Sequence, residues 1–290
     1  MNNFSITLFA VCFLVAGCVS SPKQPEADAA NEKPLVVFVT GDHEYSSEAT
    51  MPLLAKELEA DYNMRTIVLK SSPDQNAEEN IPGLKALEDA DLAVFFLRWR
   101  RLPAEQLKYI DDYLNSGKPV IGFRTSTHAF NYPKDHELFK WNAFGERAFG
   151  SPPGWGGPAN HTHYGHESST DVSVIQEAAD HPILKGVDKN FHVRSWLYKV
   201  LPDYPAKGST WLLKGKAVDP NTPEAIENPV AWTWTSPSGA KTFMTTMGHP
   251  EDFQQEAMQR LTVNAIHWTL GLPIPEWKGK MDINVPYRGM

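Results

Sequence analysis

The chain has 290 residues and a formal charge of −8, with its acids spread along the length and no basic block, which excludes nucleic acid as a partner. Its two cysteines, Cys12 and Cys18, both lie near the start, so the folded part can hold no disulfide, thiolate metal site or cysteine nucleophile.

From Phe4 to Gly17 nearly every residue is apolar, and the first charged residue is Lys23. That length suits the core of a signal peptide and is too short for a permanent membrane span. Met1 to Ser5 carry no Lys or Arg, which departs from the usual signal pattern. Val15-Ala16-Gly17-Cys18 resembles the bacterial lipobox, in which the Cys18 thiol accepts a diacylglycerol. Residues 1–17 are thus expected to be removed, and residues 18–33, rich in Ser, Pro, Ala and acids, to form a lipidated tether. The expected location is exported, lipid-anchored to a bacterial membrane and facing the periplasm. A domain over 34–275 and a tail over 276–290 complete the organisation.

Leu35 to Thr40 is a continuous apolar run closing on Gly41, the pattern of a strand buried on both faces. A helix is expected from Ser47 to Ala60, capped by Ser46 or Ser47 with Glu48 in its first turn. Met64–Leu69, Asp91–Leu97 and Pro119–Phe123 read as strands, and Pro103–Asn115 as a helix with Gly117 after its end. Strands alternating with helices predict an open, mostly parallel α/β sheet with helices on both faces. In such sheets the site lies beyond the carboxyl ends of the strands. Four loops are thereby selected, beginning at Gly41, Arg98, Arg124 and Gly248.

From Phe130 to Thr170 periodicity fails, and the segment is crowded with Pro, Gly and His, as expected of a long site-covering insertion. Val172–Ile175, Trp196–Val200 and Thr210–Leu213 are short strand candidates. Pro229–Thr235 and Lys241–Thr246 form a hairpin through Ser236-Pro237-Ser238-Gly239. A last helix from Phe253 to Leu270 places Met258, Leu261, Ala265 and Trp268 at core spacing.

Two of these segments carry a family signature. Arg124-Thr125-Ser126-Thr127-His128 follows a strand where class I glutamine amidotransferases place their nucleophile elbow, and Gly248-His249-Pro250-Glu251 looks like their His-Pro-Glu element. No cysteine stands at the elbow. Together with Gly41-Asp42-His43-Glu44-Tyr45 and Asp252-Phe253, this pattern resembles the ThuA-like (trehalose utilisation) family over residues 35–272. The resemblance implies a flavodoxin-like, class I glutamine amidotransferase-like fold without glutaminase activity. It also implies a role in using trehalose or related 3-keto sugars.

Among the loop residues, His249 and Glu251 have the spacing of an acid/base pair in which the carboxylate fixes the imidazole. His43, His128 and Arg124 are expected to join them as catalytic groups, while Asp42 is suited to hydrogen-bonding its own turn. Glu44, Tyr45, Arg98, Trp155, His163, Tyr164 and His166 are candidate substrate contacts, Trp155 and Trp141 as platforms for a sugar ring. Of the arginines after the third strand, Arg98 should face the crevice and Arg100 and Arg101 the solvent. His161, His163 and His166 could instead hold a divalent metal such as zinc. His136, His181, His192 and His267 lie apart from the four loops and read as structural. Three functions remain open: an enzyme acting on a carbohydrate or its keto derivative, a metal-dependent hydrolase, and a non-catalytic sugar-binding lipoprotein.

Overall fold

β1 (Leu35–Gly41) is buried along its whole length because it lies between two parallel neighbours, β2 (Arg65–Leu69) and β3 (Leu92–Leu97). The computed structural model describes residues 1, 33–151, 163–200, 207–223 and 225–289. The remaining strands are β4 (Val120–Phe123), β5 (Ser169–Val174), β6 (Asn190–Val193), β7 (Thr210–Val218), β8 (Asn228–Thr235) and β9 (Lys241–Thr245). Among the described residues these form one sheet in the order β2-β1-β3-β4-β9-β8-β7-β5-β6. The first five in that order run parallel, and from β9 outward every pair is antiparallel. The sheet is therefore mixed, and β9 is its seam.

Alternate residues of the parallel strands feed two cores. Val36 and Phe38 of β1 pack with α1 (Ser47–Asp61) and α4 (Glu256–Thr269) on one face. Val37 and Val39 pack with α2 (Ala104–Asn115) and α3 (Phe144–Phe149) on the other. Helices thus cover both faces of the parallel half, as such sheets require.

Several elements depart from expectation. Ser46 lies at the start of α1, but its side chain makes no capping bond; the acceptor is Asp42, four residues earlier. Trp196–Val200 is no strand; it reaches its neighbours through an isolated bridge between Tyr198 and His163 and a hydrogen bond from the Val200 N–H to Asn228 of β8 at 2.8 Å. α3 and a 3-10 turn over Phe139–Ala143 stand inside the stretch expected to be irregular. α4 starts at Glu256 because Pro250–Gln254 forms a separate 3-10 turn. Residues 2–17, Cys18, Trp155 and His161 lie outside the described residues, and with them the expected signal peptide and lipidation site.

Candidate functional site at the strand ends

The loops after β1, β3, β4 and β9 converge, and their backbones are unusual. His43, Ser46, Trp99 and Arg124 all have positive φ, between 41° and 57°, a region that non-glycine residues seldom occupy. Such strain persists only where neighbours over-determine it, and it gathers at functional sites. After β1 the determinant is Asp42, whose carboxylate accepts the backbone N–H groups of Glu44 and Ser47 at 2.8 Å each, and that of Tyr45.

Arg124 occupies the elbow after β4 with φ 41° and is fully buried. Its guanidinium donates to the Thr246 carbonyl at 2.8 Å, to the Tyr45 hydroxyl at 3.1 Å and to the Trp196 carbonyl at 3.4 Å. The rings of Tyr45, Trp196 and Tyr198 lie 4.4, 4.6 and 4.7 Å from its central carbon. Among the described residues no carboxylate comes within ion-pair distance, so the elbow holds a caged cation. Three π faces offset part of the cost of burying it.

His249, at the end of the seam strand, has a defined tautomer. Its Nδ1 accepts the Glu251 backbone N–H at 3.3 Å, so the ring proton resides on Nε2, which is buried without a hydrogen-bond partner. Burial, then Arg124 and Arg194, hold its pKa at about 3, and the ring is neutral at physiological pH. The expected carboxylate partner is not the one found. The Glu251 side chain is exposed, and the buried acid is Asp252, which accepts the N–H groups of Gly248 and His249 and closes the turn. A 3-10 turn points its second and third residues in different directions, so Glu251 cannot also face His249.

The other expected residues spread along a belt of rings. His43 neighbours Trp99 at 6.5 Å between centroids, Trp99 neighbours His128 at 6.4 Å, and His128 neighbours Tyr198 at 6.1 Å. Arg124 joins Tyr198 to Tyr45, and beyond it His249 faces Tyr287 at 4.4 Å. His43 is held neutral, near pKa 4, by burial and then by Arg100 and Arg98. His128 lies within hydrogen-bond distance of the Thr127 hydroxyl through Nδ1, at 3.0 Å. Glu44 and Arg98 form a buried ion pair at 2.9 Å, with Arg98 stacked on Trp99. His163, held near pKa 4 by burial, and His166 lie 4.3 Å apart between ring centroids, tilted at 51° to each other, beside Trp196.

Other expectations are corrected. Arg100 is fully buried and braces the 71–77 loop through Ser71 and the Ala77 carbonyl; only Arg101 is exposed. Tyr164 is buried and its hydroxyl accepts the Ile226 N–H, which ties it to the β8 entrance. Trp141 packs against Phe130 in the opposite core. Among the described residues no group of three His, Cys, Asp or Glu side chains is placed to hold a metal ion. His136 and His181 accept backbone N–H groups of their own turns, His192 pairs with Asp171, and His267 bonds the Pro273 carbonyl. Trp99, Trp196, Tyr198 and Tyr287 were not singled out from the sequence as site residues. The alternation of Trp196 and Tyr198 reads equally well as a core strand.

An open α/β sheet whose strand-end loops meet at a strained elbow after β4, occupied by Arg124, frames the site. The model of the ThuA family, described as trehalose utilisation, matches residues 35–269, and the chain belongs to that family. A ThuA-like protein from Parabacteroides merdae ATCC 43184 is similar in structure, with a TM-score of 0.62 at 16% identity, covering 88% of this chain and 98% of that one. Another, from Bacteroides uniformis ATCC 8492, has a TM-score of 0.53 at 16% identity, covering 82% and 91%. No curated protein matches the sequence.

Proposed function

We propose that this ThuA-like protein is exported, anchored by lipid on Cys18, and acts as an enzyme on a carbohydrate or its 3-keto derivative, without glutaminase activity. The reading is carried by one observation: a neutral histidine whose unpartnered Nε2–H is buried in the same ring cluster as the caged Arg124 cation. With Nδ1 occupied by a backbone N–H, His249 serves as a hydrogen-bond donor to a substrate oxygen. Neutral imidazoles polarise carbonyls in this way when a turn or helix start depresses their pKa. As a base removes a proton from the carbon beside the carbonyl, the electron pair moves onto the oxygen, where His249 and Arg124 oppose the growing negative charge. His43 and His128, on neighbouring loops, supply candidate bases, His43 being neutral and therefore able to accept a proton. Return of that proton to the former carbonyl carbon, with the hydroxyl on the deprotonated carbon passing its own proton to the oxyanion, completes an isomerisation; re-formation of the carbonyl with a group leaving, together with its electron pair, from the next carbon along completes an elimination.

In this mechanism Glu251 contributes its backbone N–H and not its carboxylate. The test is turnover of 3-keto-trehalose, with trehalose as control, by protein lacking residues 1–33. His249→Ala should lower turnover by about two powers of ten. Equal turnover by the variant would overturn the assignment, and binding of the keto sugar with no turnover in the parent would favour a sugar-binding protein.

A further inference from the structure

The family match ends at residue 269, yet the chain beyond it returns to the site. Met281, Ile283 and Val285 are buried, and the residues between them are exposed, the alternation of an extended strap laid on the α1/α4 core. Gln259 of α4 clamps its start from both sides. The amide nitrogen donates to the Met281 carbonyl at 2.9 Å, and the amide oxygen accepts the Met281 N–H at 2.8 Å. Further along, Gln254 donates to Asn284 at 3.2 Å. After Val285 the attachment thins: the Ser46 hydroxyl donates to the Pro286 carbonyl at 3.4 Å, and Tyr287 is held by ring contacts with His249, Tyr45 and Trp196.

Tyr287 is the outermost ring of that cluster. It is 36% exposed, whereas Tyr45, Trp196 and His249 are at most 2% exposed. It is also the nearest ring to His249 among the described residues, at 4.4 Å against 6.2 Å for Trp196 and 6.3 Å for Tyr45. A buried donor with no partner is costly unless a ligand satisfies it for part of the time. Here the ring nearest that histidine sits on the least anchored part of the strap.

We propose that residues 286–289 are a lid, closed in this structure, and that Tyr287 must leave the His249 ring before a ligand can reach Nε2. Residues 281–285 stay clamped to α4 and act as its fixed base. The inference rests on His249 facing the ligand, but its test uses no substrate, so it can fail or stand independently of the reaction proposed above.

The probe is exchange of the His249 Nε2 proton with solvent, followed by NMR of protein labelled with nitrogen-15 in histidine and tryptophan. The internal reference is the Trp232 indole N–H, which donates to the Phe149 carbonyl in the opposite core at 2.8 Å. Tyr287→Ala, and a chain ending at Pro286, should each speed His249 exchange roughly tenfold or more while Trp232 is unchanged. Tyr287→Phe, which keeps the ring, should exchange like the parent. Unchanged His249 exchange in both the alanine and the shortened chain overturns the lid. So does an increase shared equally by Trp232, which would show that the strap supports the whole fold and gates nothing.

Discussion

Asp252 holds Ser195: its carboxylate accepts the Ser195 backbone N–H at 3.0 Å and the Ser195 hydroxyl, across 57 residues of sequence. The same group accepts the N–H of Gly248 at 2.8 Å and of His249 at 3.0 Å. One buried carboxylate thereby fixes both the exit of β9 and the segment carrying Trp196.

Removing it should unseat the site before it alters any chemistry. Asp252→Ala takes the acceptor from the Ser195 N–H and hydroxyl, leaves the Gly248 and His249 N–H groups only the Ser195 hydroxyl oxygen at 3.1 Å each, and should cost about 1–3 kcal/mol for each donor left unpaired. Asp252→Asn keeps one carbonyl oxygen and should cost less. Urea unfolding of the two variants measures the difference, and equal losses would contradict the network.

Glu44 and Arg98 should show strong coupling. Each is about 5% exposed, so breaking the pair from either side strands a buried charge, at roughly 3–5 kcal/mol. Glu44→Gln combined with Arg98→Met removes both charges and should be less destabilising than the sum of the single changes. A double-mutant cycle on unfolding free energies checks this, and additivity would show that the pair is not coupled.

Three histidines whose pKa values are lowered furthest predict how stability responds to acid. In the fold His43 and His163 sit near pKa 4 and His249 near 3, each mainly through burial, while an unfolded histidine takes up its proton near 6.5. Below about pH 6.5 the unfolded state binds more protons, so stability falls as pH drops toward about 4. Above about 6.5 both states are neutral and these groups contribute no slope. Each histidine can add at most about 1.4 kcal/mol per pH unit. Urea midpoints at about pH 7 and about pH 5 read the effect, and His249→Gln should flatten the difference between them.

Gly145 of α3 touches the elbow turn so closely that an added Cβ would lie 2.3 Å from the Thr127 carbonyl oxygen. That neighbour is backbone and cannot swing aside. Gly145→Ala should therefore push α3 away from residues 124–128, lowering thermal stability and disturbing the His128 ring resonances. Resonances of His192, on the distant edge strand β6, should not move.

Cys18→Ala should release the protein from membranes, because two or more acyl chains anchor far more firmly than polar contacts with the headgroups. Detergent partitioning after a high-salt wash decides it. A variant that stays with the membrane fraction would remove the lipoprotein reading.

β1, β3 and β4 were legible because they are buried along their whole length and read as apolar runs, and because Gly41, Arg98 and Arg124 mark where they end. β6 was not, since Asn190-Phe191-His192-Val193 is an edge strand with a mostly polar composition and only Val193 fully buried. α3 was hidden by its shortness and by Gly145, which helical patterning counts against but which close packing on the elbow demands. Of the site, the loop histidines and Arg124 could be chosen by position alone. Their roles could not: the tautomer of His249 depends on a backbone N–H two residues on, and the choice between Glu251 and Asp252 depends on the hand of a 3-10 turn. Tyr287 carries no local pattern that links it to residues near 45 or 249.

The seam position of β9 bears on when the site can come into being. Arg124 meets the Thr246 carbonyl across 122 residues, and β9 must add to β4 before the elbow has that acceptor. Contacts of such long range close late and slowly. A chain emerging from its amino end can form the β2-β1-β3-β4 layer while the residues that cage the guanidinium are still unmade or unpaired. Without β9, Arg124 would be a solvated cation beside an open sheet edge, and the cage around it is complete only once that edge is closed.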